Sequence, residues 1–183
     1  MKRQVLSILT ICMIIGLNGC ANKVATYAVS TENIMTLKDL SKESKKIALE
    51  EFTDSNRNES MVMCRLSTPV GTPKGESFIS YIKKAFEKEL LVGDMYDKKS
   101  DTKISMNLDD LYGSTILGNA YWEFKATISS SNKKSFKVKS RYDYESSYFA
   151  GSACSEMQRS FVPAVQKFIG DIIENRKFKE LIQ

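Results

Sequence analysis

Apolar and polar residues alternate through the middle of this chain regularly enough to predict its strands. In "TKISMNLDDLYG" the apolar positions are Ile104, Met106 and Leu108. "NAYWEFKATISS" places Trp122, Phe124, Ala126 and Ile128 on one face, with Tyr121 and Glu123 on the other. "SFKVKSRYDYESSYF" sets Phe136, Val138 and Ser140, then Tyr142 and Tyr144, against Lys137, Lys139 and Arg141. Alternation with period two gives each strand one dry and one wet face, as in an antiparallel sheet covered on one side. The polar run "SSSNKK" reads as the hairpin turn between the second and third of these strands.

The period changes to that of a helix twice. Phe78, Ile82, Phe86 and Leu90 recur every four residues, with Lys83, Lys84, Glu87 and Lys88 opposite and Gly93 as the stop. A longer amphipathic helix is predicted from about Ser152 to Asn175, with Met157, Phe161, Val165, Phe168, Ile169, Ile172 and Ile173 towards the core. Pro163 inside it frees the carbonyl of Arg159, which predicts a kink or a fresh start at Ser160. "KFKELI" adds a last turn or short helix. Earlier, Ile47, Leu49 and Phe52 predict a first strand, and "MVMCRL" a short second one before the turn-rich "STPVGTPKG". The order β-α-β-β-β-α predicts an α+β, two-layer sandwich. Its antiparallel or mixed sheet has about four strands, with two helices on one face.

Upstream of residue 45 the pattern fades. From Ala21 to Ser44 the chain is polar, with one weak apolar patch from Ile34 to Leu40 and room for a short helix around Thr36 to Lys42. Residues 20–44 therefore read as a flexible tether and residues 45–183 as a single domain large enough for a proper core. Residues 1–19 have another character. Lys2 and Arg3 precede the apolar run Val5 to Gly16, which is too short to span a bilayer comfortably, and "LNGC" follows. Leu17, Asn18, Gly19 and Cys20 resemble the bacterial lipobox, whose cysteine is acylated and becomes the first residue after the leader is cut; Asn18 stands where Ala or Ser is usual. The alternative is an ordinary signal peptide or anchor helix in which Cys20 is incidental. No Asp follows Cys20, which favours the outer over the inner membrane under the enteric sorting pattern.

Composition narrows the function classes. Two of the 27 Lys and Arg, at positions 2 and 3, belong to the leader, so 25 remain against 22 Asp and Glu, a formal charge of +3. That near balance carries no electrostatic footprint for nucleic acid. Of the four cysteines, Cys12 leaves with the leader and Cys20 takes the lipid. Cys64 and Cys154 remain, an even pair in a compartment where disulfides persist, with two separate buried thiols as the alternative. In the chain-entropy model a bridge across this span stabilises by about 4–5 kcal/mol, an upper figure.

The chain contains no histidine. That removes Ser-His-Asp and Cys-His catalysis and imidazole metal ligation, and no metal or cofactor is expected. Asp109 and Asp110 are neighbours on a strand and are expected on opposite faces, where they cannot converge as an acid/base pair. "GTPKG", Gly71 to Gly75, lacks P-loop spacing and reads as turns. Arg141, Tyr142, Tyr144 and Tyr148 form a candidate partner surface, because Tyr and Arg are favoured at interfaces; the competing reading is a core strand with its hydroxyls at the rim.

"CRLSTPVGTPKGESFISYIKKAFEKEL", "WEFKATISSSNKKSF", "ACSEMQRSFVPAVQKFI" and "KFKELI" together resemble a family of uncharacterised proteobacterial envelope lipoproteins. In that family a Cys-Arg near the start pairs with an Ala-Cys near the last helix. The element order is also similar to the lipopolysaccharide-assembly lipoprotein and to the N-terminal domain of the Tol-system propeller protein, an analogy of fold alone. The expected function is a non-enzymatic lipoprotein, anchored to the outer membrane and facing the periplasm. It would serve as an accessory or assembly factor for a larger envelope complex, with an envelope protein as partner. The alternative is a carrier of lipid or another apolar ligand, resting on Phe78, Phe86, Trp122 and Phe161.

Overall fold

In the computed structural model of the chain, residues 22–55, 59–66 and 68–183 are described. The alternating runs form the main sheet. β5 (Lys103–Ile116), β6 (Asn119–Ser130) and β7 (Ser135–Tyr144) are an antiparallel meander, and β2 (Ala48–Asp54) joins its edge parallel to β5, giving the order β2-β5-β6-β7. The sheet is mixed, and its dry face carries Trp122, Phe124, Ala126 and Ile128, each fully buried.

Helices cover that face. α2 is Phe78–Val92 and α3 is Ala150–Ile173. α2 begins at Ser77, whose hydroxyl accepts from the Ser80 amide, and ends at Gly93. The seven apolar residues from Met157 to Ile173 expected on the inner stripe of α3 are all buried. Pro163 does not divide this element: one helix runs through it. Phe161 sits at the centre of the core, with ring centroids 4.9 Å from Trp122, 5.2 Å from Phe78 and 5.5 Å from Tyr81. Asn175 caps α4 (Arg176–Ile182), where Phe178, Leu181 and Ile182 are buried. The two-layer α+β architecture is therefore as the periodicity implies.

Two additions lie outside that outline. β3 (Met61–Cys64) and β4 (Thr68–Gly71) pair as a hairpin, and β1 (Asn22–Lys23) runs parallel to β4, making a small sheet of order β1-β4-β3. β4 falls in the proline- and glycine-containing stretch read as turns; its Val70 is fully buried, which gives that short strand a reason to pair.

The second addition corrects the tether. Residues 22–44 belong to the domain. α1 (Thr31–Glu43) is capped by Ser30, carries Glu32 in its first turn and Lys42 in its last, and buries Ile34, Leu37 and Leu40. A sparse apolar stripe cannot hold a thirteen-residue helix alone. It is held because Leu37 packs directly on Gly93, where an added Cβ would lie 2.4 Å from the Leu37 Cβ. Upstream of α1, Val24 and Tyr27 are buried as well.

Candidate functional site

The leader, its "LNGC" motif and Cys20 lie outside the described residues. Cys64, at the end of β3, and Cys154, in the second turn of α3, are joined as a disulfide with Cα atoms 5.7 Å apart, both buried. The bridge ties the small sheet to the long helix.

Arg141, Tyr142, Tyr144 and Tyr148 do not form one surface. Alternation along β7 sends Arg141 to the open face of the sheet. There its guanidinium lies 3.6 Å from the centroid of the Tyr121 ring and bonds Asp143 and Asn119, each at 2.8 Å. Tyr142 faces the helix side, lining a cleft of about 430 Å3 with Ser30, Asn33, Gln166 and Asp171. Tyr144 is half-buried beside it; its hydroxyl donates to the Ser114 carbonyl at 2.8 Å, and burial raises its phenol above the ordinary value. Tyr148 stands apart in the connection to α3, exposed to solvent.

The acidic pair is also rearranged. A β-bulge between Leu108 and Asp110 inserts Asp109, so adjacent carboxylates share the open face rather than opposing ones. Asp109 accepts from Thr127 and Asn107, at 2.9 Å and 2.5 Å, while Asp110 pairs with Lys125 at 2.9 Å. Each is held by its own donors. Among the described residues no three Cys, Asp or Glu side chains gather as a metal site. No described helix is long and apolar enough to cross a membrane.

Two constellations emerge that periodicity does not reveal. The first surrounds Arg65, which follows the bridged Cys64 with φ 48°, in the left-handed region. Its guanidinium donates to the carbonyls of Thr115 (3.1 Å), Ser147 (2.7 Å) and Tyr148 (3.0 Å). One planar fork thus fastens the β3–β4 turn to the end of β5 and to the segment before α3. Ser146 adds a bond to the same Thr115 carbonyl at 3.0 Å. Its only signal in the sequence is the Cys-Arg dipeptide.

The second is a buried carboxylate. Glu89, on α2, is fully buried, and its Oε1 accepts from the Tyr27 hydroxyl (2.5 Å), the Ser30 amide (2.8 Å) and the Asn33 side chain (3.4 Å). Among the described residues its Oε2 has no partner. Burial first, then the bond to Glu89 and its charge, hold the Tyr27 phenol far above its ordinary value. Gln166 and Lys88 bond the carbonyls of Ala28 and Tyr27, and Tyr81 that of Ala25, so side chains of α2 and α3 grip the whole segment before α1. This network fixes structure where a flexible lead is expected from the sequence.

The rings invoked for an apolar ligand are spent on one another: Phe78, Phe86, Trp122 and Phe161 are each at most 1% exposed.

No family model matches the chain, and no curated protein matches it. Among solved structures, a Xanthomonas campestris protein described under the family model DUF330 is a weak structural neighbour. It shares 11% sequence identity at a TM-score of 0.44, over 71% of this chain and 84% of the neighbour.

Proposed function

We propose that this chain is a bacterial envelope lipoprotein, acylated at Cys20 and held at the outer membrane facing the periplasm. It works without catalysis, as an accessory or assembly factor bound to a larger envelope complex. The observation that carries this reading is the "LNGC" sequence closing an apolar run behind Lys2 and Arg3, two residues before the chain enters β1. The bridge between Cys64 and Cys154 suits an oxidising compartment. The mutual packing of Phe78, Phe86, Trp122 and Phe161 favours the accessory reading over an apolar-ligand carrier.

Affinity purification of the full chain from crosslinked envelopes, beside a Cys20→Ala form, tests it. A stoichiometric envelope protein recovered with the acylated chain and lost with the variant is expected. Recovery of the acylated chain alone would contradict an accessory role.

A further inference from the structure

At the Arg65 end of the molecule five large apolar side chains stand in solvent: Leu66 (95% exposed), Tyr148 (79%), Phe149 (73%), Ile116 (64%) and Leu117 (58%). Single exposed apolar residues are ordinary; a group of them on neighbouring loops marks a contact surface. These loops are neighbours because Arg65 binds the carbonyls of Thr115, Ser147 and Tyr148, with the Cys64–Cys154 bridge behind them. The Tyr148 and Phe149 rings meet edge to face, centroids 6.0 Å apart. The surface is therefore held in shape before anything binds it.

The course of the chain says what faces it. β1 runs parallel to β4, with Asn22 opposite Val70 and Lys23 opposite Gly71. The chain thus enters the fold from the Thr68 end of β4, which is the end that carries the Leu66 turn. Cys20 precedes Asn22 by two residues, and covalent geometry limits that separation to about 7 Å. An acyl group on Cys20, as proposed above, would therefore lie within two residues of the point where the described chain enters at the Leu66 end of β4.

We propose that this loop end rests in the bilayer interface, with Leu66, Ile116, Leu117, Tyr148 and Phe149 beside the acyl chains of Cys20. The proposal rests on the acylation put forward above. Aliphatic side chains reach the acyl boundary, while the Tyr148 hydroxyl stays at headgroup level. Apolar area buried there adds to the hold of the lipid, and it fixes which way the domain points.

The test uses the full acylated chain in vesicles of phosphatidylethanolamine and phosphatidylglycerol doped with brominated lipid, the signal of buried Trp122 being subtracted. Leu117→Trp is expected to shift its emission to the blue and lose most of it to the brominated lipid. Lys98→Trp, exposed near the start of β5 and so at the opposite end of the sheet, is expected to keep its emission. Adding Leu66→Asp and Phe149→Asp, both at exposed loop positions, should return most of the Leu117→Trp signal. Unquenched Leu117→Trp on protein that still floats with the vesicles would overturn the proposal and leave the anchor intact. Unaltered quenching after the two Asp substitutions would overturn it too, as would a photo-crosslinker at residue 117 that captures a protein in cells instead of lipid. Failure to float would remove the anchor and the proposal together.

Discussion

Glu89 is a fully buried carboxylate with three donors on one oxygen and, among the described residues, none on the other; the donors come from the segment leading into α1 (Tyr27 and Ser30) and from its first turn (Asn33). Replacing Glu89 by Ala leaves the buried Tyr27 hydroxyl and the half-buried Ser30 amide without an acceptor. We expect Glu89→Ala to lower unfolding free energy by about 2–3 kcal/mol, and Glu89→Gln, which keeps an acceptor oxygen, to lower it by less. Urea denaturation distinguishes them, and an unchanged midpoint for the Ala variant would contradict the network. The phenols give a pH dependence. Tyr27, Tyr81 and Tyr144 all titrate above their ordinary value of 10.0 in the fold, burial being the largest cause each time. The unfolded chain releases these protons near pH 10 while the folded chain keeps them. Their contribution is therefore complete below about pH 10 and is lost as pH rises above it. The urea midpoint should fall above that pH, and less so when all three are Phe; equal falls would contradict the assignment.

Among the elements, strands β5 to β7 and helices α2 and α3 are legible in the chain because each has one wet and one dry face, so burial writes its period into the residues. α1 is obscured for a physical reason. Ile34, Leu37 and Leu40 are few among polar neighbours, and what stabilises the helix is a contact remote in sequence, Leu37 on Gly93. Gly93→Ala should force that contact apart and destabilise by about 1–3 kcal/mol in chemical denaturation. A neutral outcome would favour the flexible tether. The bulge at Asp109 is equally hidden, since an inserted residue leaves no mark on the pattern until its pairing is seen. Grouping Arg141 with Tyr142, Tyr144 and Tyr148 fails for a different reason: alternation along β7 already separates Arg141 from Tyr142, and a preference for Tyr and Arg at interfaces carries no geometry. Arg65 is illegible because an arginine serving backbone carbonyls has no periodic signature.

On the scale of the molecule, the bridge between Cys64 and Cys154 closes a span of 90 residues and joins the small sheet to α3. Replacing both cysteines by Ala should lower stability by roughly 2–4 kcal/mol, read from urea unfolding under non-reducing conditions. Indistinguishable curves would mean that the linkage is not formed in the native protein. The domain reaches to Asn22, so the proposed anchor at Cys20 would hold it close to a surface, with Arg65 and its loops at that end. Everything proposed about compartment, orientation and partner depends on that anchor. Intact-mass and N-terminal peptide spectrometry of the chain isolated from envelopes tests it most directly. A polypeptide beginning at Cys20 and carrying a diacylglyceryl group on its sulfur is expected. A chain that retains residues 1–19, or begins at Cys20 with an unmodified thiol, would contradict it.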